Sequence, residues 1–493
     1  MGLKSAISLP FAKYIAKNTQ KWSNNPFQTQ QKIFDELISV LKNTTYGKEH
    51  NLSSVNNYQD FKSNVPICGY EDIKPYIERI KKGESDVLWK GKPIYLSKTS
   101  GTTSGIKYIP ITKESIPNHI NSARNALLLY IAETGKKDFV DGKMIFLSGS
   151  PELDMVGGIP TGRLSGIVNH HVPKYLRKNQ LPSYKTNCID DWEQKVDAIV
   201  EETINQNMTL ISGIPPWVQM YFDKIIKKTG KSVGDAFPNF NLFVYGGVNY
   251  EPYRNKLESS IGRKIDSIEL YPASEGFIAY QDKQNEEGLL LILNSGIYYE
   301  FISANEYFDE NPRRINLEDV EVGINYALIL NTNAGLWGYS IGDTIKFVSK
   351  NPFKIVVTGR VSHFISAFGE HVIAEEVEKA LQYACSKQNA EVVEFTVAPQ
   401  VSPKDGLPYH EWFIEFAKPP ADMEYFRKCI DDNLQEQNIY YKDLIKGSIL
   451  QPLRIKVMQP NAFINYMKSK GKLGGQNKLP RLSNDRRIAD ELL

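Results

Sequence analysis

Leu242-Phe243-Val244-Tyr245-Gly246-Gly247 is a run of four apolar residues that stops at a glycine pair. Two other segments have the same form. Met144-Ile145-Phe146-Leu147 stops at Ser148-Gly149-Ser150-Pro151, and Leu210-Ile211 stops at Gly213, before the helix-like stretch Trp217 to Ile226. Short buried strands whose carboxyl ends run into glycine loops, alternating with helices, describe an α/β sheet with its ligand crevice at those ends. Upstream, Phe27, Ile33, Phe34, Leu37, Ile38 and Leu41 recur at helical spacing over residues 27–42. Downstream the pattern changes. Leu289 to Leu293, Asn294-Ser295-Gly296 and Ile297 to Ile302 read as an antiparallel hairpin. Past Thr358-Gly359-Arg360 a smaller α+β pattern follows, with a helix over Glu375 to Cys385 (Val377, Leu381 and Ala384 on one face) and strands at Val392 to Val397 and Trp412 to Phe416.

The expected fold class is therefore α/β. A large domain, residues 1–358, carries mixed α/β sheets and a β-rich part, and a smaller α+β domain, residues 359–493, follows a hinge near 358–361. The length of 493 residues agrees, being too long for one comfortable core. A net charge of +2 supplies no one-sign field to recruit nucleic acid or a membrane surface. Lys224, Lys227, Lys228 and Lys231 read as a solvated helix face. The four cysteines, Cys68, Cys188, Cys385 and Cys429, have no C-x-x-C spacing, which indicates neither a disulfide framework nor zinc. The amino-terminal segment is a poor signal peptide, and no apolar run approaches bilayer length, so the expected location is cytoplasmic. The sequence leaves the oligomeric state open, a monomer included.

Three segments carry candidate chemistry. Ser97-Lys98-Thr99-Ser100-Gly101-Thr102-Thr103-Ser104-Gly105-Ile106-Lys107 alternates hydroxyls with glycines after an apolar run. Such a loop brings backbone N–H groups and hydroxyl donors close to an anion and suits a polyphosphate, although a plain Ser/Thr turn has the same composition. It is no Walker A loop, since the glycine spacing is too short and no Ser or Thr follows Lys107. In Tyr271-Pro272-Ala273-Ser274-Glu275-Gly276 an aromatic residue at a strand end suits stacking on a base, and the carboxylate suits a hard cation such as Mg2+. A packed tyrosine and an exposed glutamate at a strand terminus are the bland reading. In Gly338-Tyr339-Ser340-Ile341-Gly342-Asp343-Thr344 an aspartate just after a glycine turn can accept two hydrogen bonds from a ribose diol, though Gly-Asp is also an ordinary turn.

Together with Tyr245-Gly246-Gly247, the Gly359-Arg360 pair and Lys478-Leu479-Pro480-Arg481, these segments occur in one order over nearly the whole chain. In that order the chain resembles the adenylate-forming superfamily of acyl-CoA synthetases, peptide-synthetase adenylation domains and firefly luciferase. Within it, the chain is most similar to the auxin-responsive acyl-acid amido synthetases of plants and their bacterial relatives. The resemblance implies ATP and Mg2+ as cofactors and a small carboxylic acid and an amino acid as substrates. Ser100, Gly101, Thr102, Thr103 and Ser104 would grip the phosphates, Gly246 and Gly247 would lie along the adenine, and Tyr271 would stack on it. Ser274 would join the nucleotide site, Glu275 would hold Mg2+, Asp343 would bind the ribose hydroxyls, and Arg360 would reach ribose or phosphate from the hinge. Lys478, on a loose glycine-rich tail, would neutralise charge as the carboxylate attacks the α-phosphorus, and the carboxy-terminal domain would be a mobile lid. Pro272 and the absence of an arginine near Trp337-Gly338-Tyr339 depart from the plant pattern and blur the substrate.

The acyl pocket is expected partly from residues 155–175, with Met155, Val156, Leu164, Ile167 and Val168, which core packing would explain equally well. His170-His171, read as extended, would point to opposite faces and form no metal pair. His363 and His371 lie just past the hinge, with a structural role expected, and Trp337 and Trp412 are expected core. The competing functions are an acyl-CoA ligase with the same adenylation step and a catalytically silent nucleotide-binding protein. The joint presence of Glu275, Asp343 and Lys478 weighs against the second.

Overall fold

A computed structural model describes residues 3–100, 106–172, 177–247, 250–361, 364–365, 370, 372–403, 405–446, 449–473, 478–483 and 485–493, apart from the side chains at 3, 100, 251–252, 364–365, 439–440 and 443. The glycine-rich residues Gly101 to Gly105 lie outside this set, as do His363 and His371. The chain forms two compact units.

The first unit comprises Met1–Gly213, Phe237–Gly247 and Ile265–Val356. The apolar runs ending in glycine are its parallel strands. Lys143–Phe146 pairs with Met208–Ser212, that strand with Leu242–Gly246, and that one with Asp266–Ala273, all parallel. From Asp266–Ala273 onward the sheet becomes antiparallel, through Gly276–Tyr280, Leu289–Leu291 and Phe353–Arg360 to Tyr339–Lys350, Asn325–Thr332 and Ile297–Ser303. A separate small sheet places Tyr95–Ser100 between Ile106–Ile111 and Ile159–Gly162.

Residues 289–303 form two strands but not a hairpin. Leu289–Leu291 pairs with Gly276–Tyr280 and Phe353–Arg360, whereas Ile297–Ser303 pairs with Arg314–Ile315 and Asn325–Thr332. The reason is a buried amide. Gln30 donates to the carbonyls of Leu293 and Ile297 at 2.8 and 2.9 Å and accepts from Tyr299 N–H at 2.9 Å. Its side chain takes up backbone groups that a hairpin would have used in its own ladder. Gln30 belongs to the helix Pro26–Leu41, whose inner face buries Ile33, Phe34, Leu37, Ile38 and Leu41 as the spacing predicts; Phe27 is exposed instead.

The helix Ile116–Thr134 buries His119, whose Nδ1 has no hydrogen-bond partner among the described residues. Burial pushes its pKa down to about 4. Between pH ~6.5 and ~4 the unfolded chain binds a proton that the native state refuses, so stability falls as pH falls through that window, by up to about 3 kcal/mol. His119→Leu is expected to flatten this part of the curve. Thermal midpoints at pH 7.0, 5.5 and 4.5 test it, and parallel curves for variant and wild type would refute it.

The second unit comprises Ile214–Ala236, Val248–Lys264 and Val357–Leu493, so two segments that precede residue 265 belong to it. Its sheet pairs Glu391–Gln400 antiparallel with Tyr409–Lys418, which runs parallel to Arg454–Val457. The helix Ala374–Gln388 packs Val377, Leu381 and Ala384 into a core with Trp412, Phe426 and Ile430. Among the described residues no helix is long and apolar enough to cross a membrane.

Candidate active site

Four of the segments singled out in the sequence converge in the first unit. Gly246 ends its strand as the register partner of Leu270, one residue before Tyr271. A Cβ at Gly246 would lie 2.3 Å from the Leu270 carbonyl oxygen, so the close approach of the two strands itself requires glycine. Gly247 follows with φ +86°. Ala273 and Gly276 are register partners, which puts Ser274 and Glu275 on a two-residue connection between antiparallel strands. Glu275 is half-buried there.

Ser274 is bound to the stem of the glycine-rich loop. Its hydroxyl lies 2.9 Å from that of Ser97, both buried, on the strand that leads into Ser100. Sequence reading gave Ser97 no role, because nothing local distinguishes it from its hydroxyl-bearing neighbours.

Tyr271 is buried, and its hydroxyl donates to Asp343 Oδ2 at 2.7 Å. Asp343 does not follow a turn. It lies within the strand Tyr339–Lys350, where the ladder to Asn325–Thr332 slips: Ala327 faces Thr344 but Ile329 faces Ser340. Three residues, Ile341 to Asp343, thus oppose Leu328 alone. Gly342, at φ +80°, supplies the left-handed conformation that this bulge needs. A bulge re-aims side chains, and this one brings Asp343 to Tyr271. The start of the same strand is held from below. Gly338 N–H donates to Asn331 Oδ1 at 2.7 Å, and Asn331 Nδ2 donates to Glu300 at 2.6 Å. Glu300 and Arg314 form a buried ion pair, with Arg314 Nε 2.6 Å from Glu300 Oε1 and Nη1 donating to the Val65 carbonyl at 2.7 Å.

Arg360 and Lys478 belong to the second unit, and both are exposed. Lys478 is not on a loose tail on its carboxyl side. Val397 N–H donates to the Arg481 carbonyl at 2.9 Å, Ser483 N–H to the Val397 carbonyl at 3.0 Å, and Thr396 Oγ1 to the Pro480 carbonyl at 2.8 Å. Leu479 and Leu482 are buried, and Arg481 pairs with Glu394 and Glu378. Residues 479–483 are therefore laid along the strand Glu391–Gln400, and Lys478 stands at the head of that segment.

Within the proposed acyl segment, Met155 is exposed, while Leu164 and Ile167 are core, packed with Ile111 and Ile116. His170 ends the helix Leu164–His170 rather than an extended run. Its Nε2 lies 2.7 Å from the Pro151 carbonyl oxygen, and His171 Nε2 lies 3.0 Å from the Tyr95 hydroxyl. Trp337 and Trp412 are buried. Among the described residues no group of three His, Cys, Asp or Glu side chains is placed to hold a metal ion.

Three family models match the chain in succession: the GH3 family N-terminal domain over residues 15–183, its central domain over 290–360 and its C-terminal domain over 375–487. The chain belongs to the GH3 family. Relatives in this family include the indole-3-acetic acid-amido synthetase GH3.3 of Arabidopsis thaliana, 23% identical over 94% of this chain and 90% of that one. The jasmonoyl-L-amino acid synthetase JAR4 of Nicotiana attenuata is 22% identical over 92% of this chain and 90% of its own. The solved structure of an Arabidopsis GH3.15 acyl acid amido synthetase in complex with 2,4-DB has the same fold, with a TM-score of 0.80 at 19% identity, over 98% of this chain and 95% of that one. The family assignment agrees with the resemblance carried by the ordered motifs, from the glycine-rich loop to Lys478.

Proposed function

We propose that this chain is an ATP-dependent, adenylate-forming acyl-acid amido synthetase whose acceptor is an amino acid. In the first half-reaction a carboxylate oxygen of a small acid attacks the α-phosphorus of ATP, and pyrophosphate leaves. In the second, the acceptor nitrogen attacks the acyl carbon, AMP leaves, and the nitrogen loses its proton. The observation that carries this reading is the convergence of distant motifs in the first unit, through the Ser97–Ser274 and Tyr271–Asp343 hydrogen bonds.

The residues present fit a magnesium nucleotide. Glu275, half-buried on its two-residue connection, offers a carboxylate to Mg2+, which would offset phosphate charge. Asp343 accepts from Tyr271 through one carboxylate oxygen and would bind a ribose hydroxyl. Tyr271 would keep its ring against the adenine, beside Gly246 and Gly247. Ser274 would stay with the nucleotide, and Ser100, Gly101, Thr102, Thr103 and Ser104 would bind phosphates. Arg360 and Lys478 would meet the charge that builds up in the transition state. No covalent enzyme intermediate is needed, so catalysis rests on positioning and charge stabilisation.

Tyr271→Phe keeps the ring and removes the donor to Asp343. A hydrogen bond to a charged group contributes about 1.5–3 kcal/mol, reduced where water can replace it. The expected result is an ATP KM roughly 5- to 10-fold higher in pyrophosphate exchange, with kcat little changed. An unchanged ATP KM would remove Asp343 from the ribose site.

The function is tested by mass spectrometry on the purified chain with ATP, Mg2+ and a pool of small aryl and aliphatic acids, adding amino acids or coenzyme A separately. An amide that appears only with amino acids supports the reading. A thioester with coenzyme A replaces it by an acyl-CoA ligase. No product of either kind, from protein that binds ATP, favours a binding protein.

A further inference from the structure

In the first unit, the carboxyl end of the strand Lys143–Phe146 opens onto Ser148-Gly149-Ser150, and two cations approach that corner. One is Arg163. It follows Gly162, whose partner in the parallel ladder is Ser97, the residue bonded to Ser274. Arg163 is thus one residue removed from the strand pair that carries the stem of the glycine-rich loop. Its side chain is half-buried and makes no hydrogen bond or ion pair with any described residue. Burial alone pushes its pKa down, with no carboxylate acting against that shift. The stem of Arg163 crosses Gly149, where a Cβ would come 2.8 Å from Arg163 Cδ and 3.6 Å from Ser165 Oγ. That serine hydroxyl is buried and has no partner among the described residues.

The second cation is Lys195, buried on the helix Trp192–Thr203. Its Nζ donates to the carbonyls of Ser148 at 2.9 Å and Asn187 at 2.7 Å, both neutral acceptors. Burial pulls its pKa down to about 8, and the charge of Arg163 pulls the same way. Asp190 and Cys188 offset the shift at Lys195 only in part, so a buried amine, a guanidinium with no partner among the described residues and an orphaned hydroxyl leave this corner with donors and positive charge only partly answered. An unpaired charge withdrawn from water destabilises a fold, so its retention points to an anion that arrives from outside. The planar guanidinium fork matches a carboxylate in two-point contact.

We propose that Arg163, with Ser165 beside it, receives the carboxylate of a substrate, and that Lys195 supplies positive charge behind the pair. The carboxylate comes either from the acid or from the amino-acid acceptor. The assignment rests on the amido-synthetase reading for what the substrate is, but not for whether the site binds carboxylates.

Binding is measured by calorimetry on the full chain, saturated with Mg2+ and AMP, for wild type, Arg163→Met and Arg163→Lys. The probes are benzoate, phenylacetate and hexanoate in one series and glycine and glutamate in the other. The expected result is that at least one probe binds wild type and loses about tenfold or more in affinity in Arg163→Met, with partial recovery in Arg163→Lys. Loss confined to the first series assigns the acid, and loss confined to the second assigns the acceptor. AMP affinity and the melting temperature of Arg163→Met are expected to be no lower than in wild type, because the substitution removes an unpaired charge. Equal probe binding in wild type and variant, a fall in AMP affinity alone, or no carboxylate binding by wild type would each overturn the site. An acid held through Arg163 but never converted to an adenylate or amide would leave the site standing and remove the proposed function instead.

Discussion

Glu300→Ala is expected to cost about 3–5 kcal/mol of stability, the range found when one partner of a buried ion pair is removed. Glu300 is fully buried on the strand Ile297–Ser303, and Arg314 is 5% exposed on the neighbouring strand. Removing the carboxylate strands the guanidinium, which among the described residues keeps the Val65 carbonyl and the ring face of Phe61, 5.6 Å from its centre. It also leaves the Asn331 amide, which sits under Gly338, with only the longer 3.4 Å contact to the Tyr298 carbonyl among the described residues. The double variant Glu300→Met, Arg314→Met removes both charges and is expected to be markedly more stable than Glu300→Ala. Thermal and urea unfolding of wild type, single and double variants test this. A Glu300→Ala protein that melts with wild type, or a double variant less stable than the single one, would show that the pair is not the anchor of this sheet edge.

Lys478→Ala is expected to slow acyl-adenylate formation about 10²- to 10³-fold, the effect of removing one preorganised donor to a developing charge. It should leave the second half-reaction near its wild-type rate. Negative charge builds at the α-phosphoryl group only while the carboxylate attacks, whereas the amine step expels AMP from an adenylate already formed. The variant should also fold, because Leu479 to Ser483 are held along the strand Glu391–Gln400 by backbone bonds and by Arg481, none of which involves the Lys478 side chain. Pyrophosphate exchange reports the first half-reaction, and aminolysis of a presynthesised acyl-adenylate the second. Equal losses in both would remove Lys478 from its assigned step and make it a general determinant of nucleotide binding.

The split between what was legible and what was not follows the range of the interactions concerned. The parallel strands ending at Gly149, Gly213 and Gly246, the helix Pro26–Leu41 and the helix–strand pattern past Arg360 were legible, because period, length and glycine stops are properties of adjacent residues. The strands at 289–291 and 297–303 were also legible, but their pairing was not, since Gln30, more than 260 residues earlier in the chain, takes up the turn. Gly342-Asp343 looked like a turn because a bulge uses the same left-handed glycine; only the slipped register with Asn325–Thr332 tells them apart. Arg163 lay inside a segment searched for apolar lining, and an arginine with no partner has the same sequence as one with several.

The order of motifs from the glycine-rich loop to Lys478 determined the family and the reaction class, because each motif suits its chemistry through residue type and local backbone alone. Which side chains meet was decided by tertiary structure. Tyr271 and Asp343 are 72 residues apart, and Ser97 and Ser274 are 177 apart. Contacts at such separation depend on strand order, register and bulges, which follow from burying the whole core at once and not from any stretch of sequence.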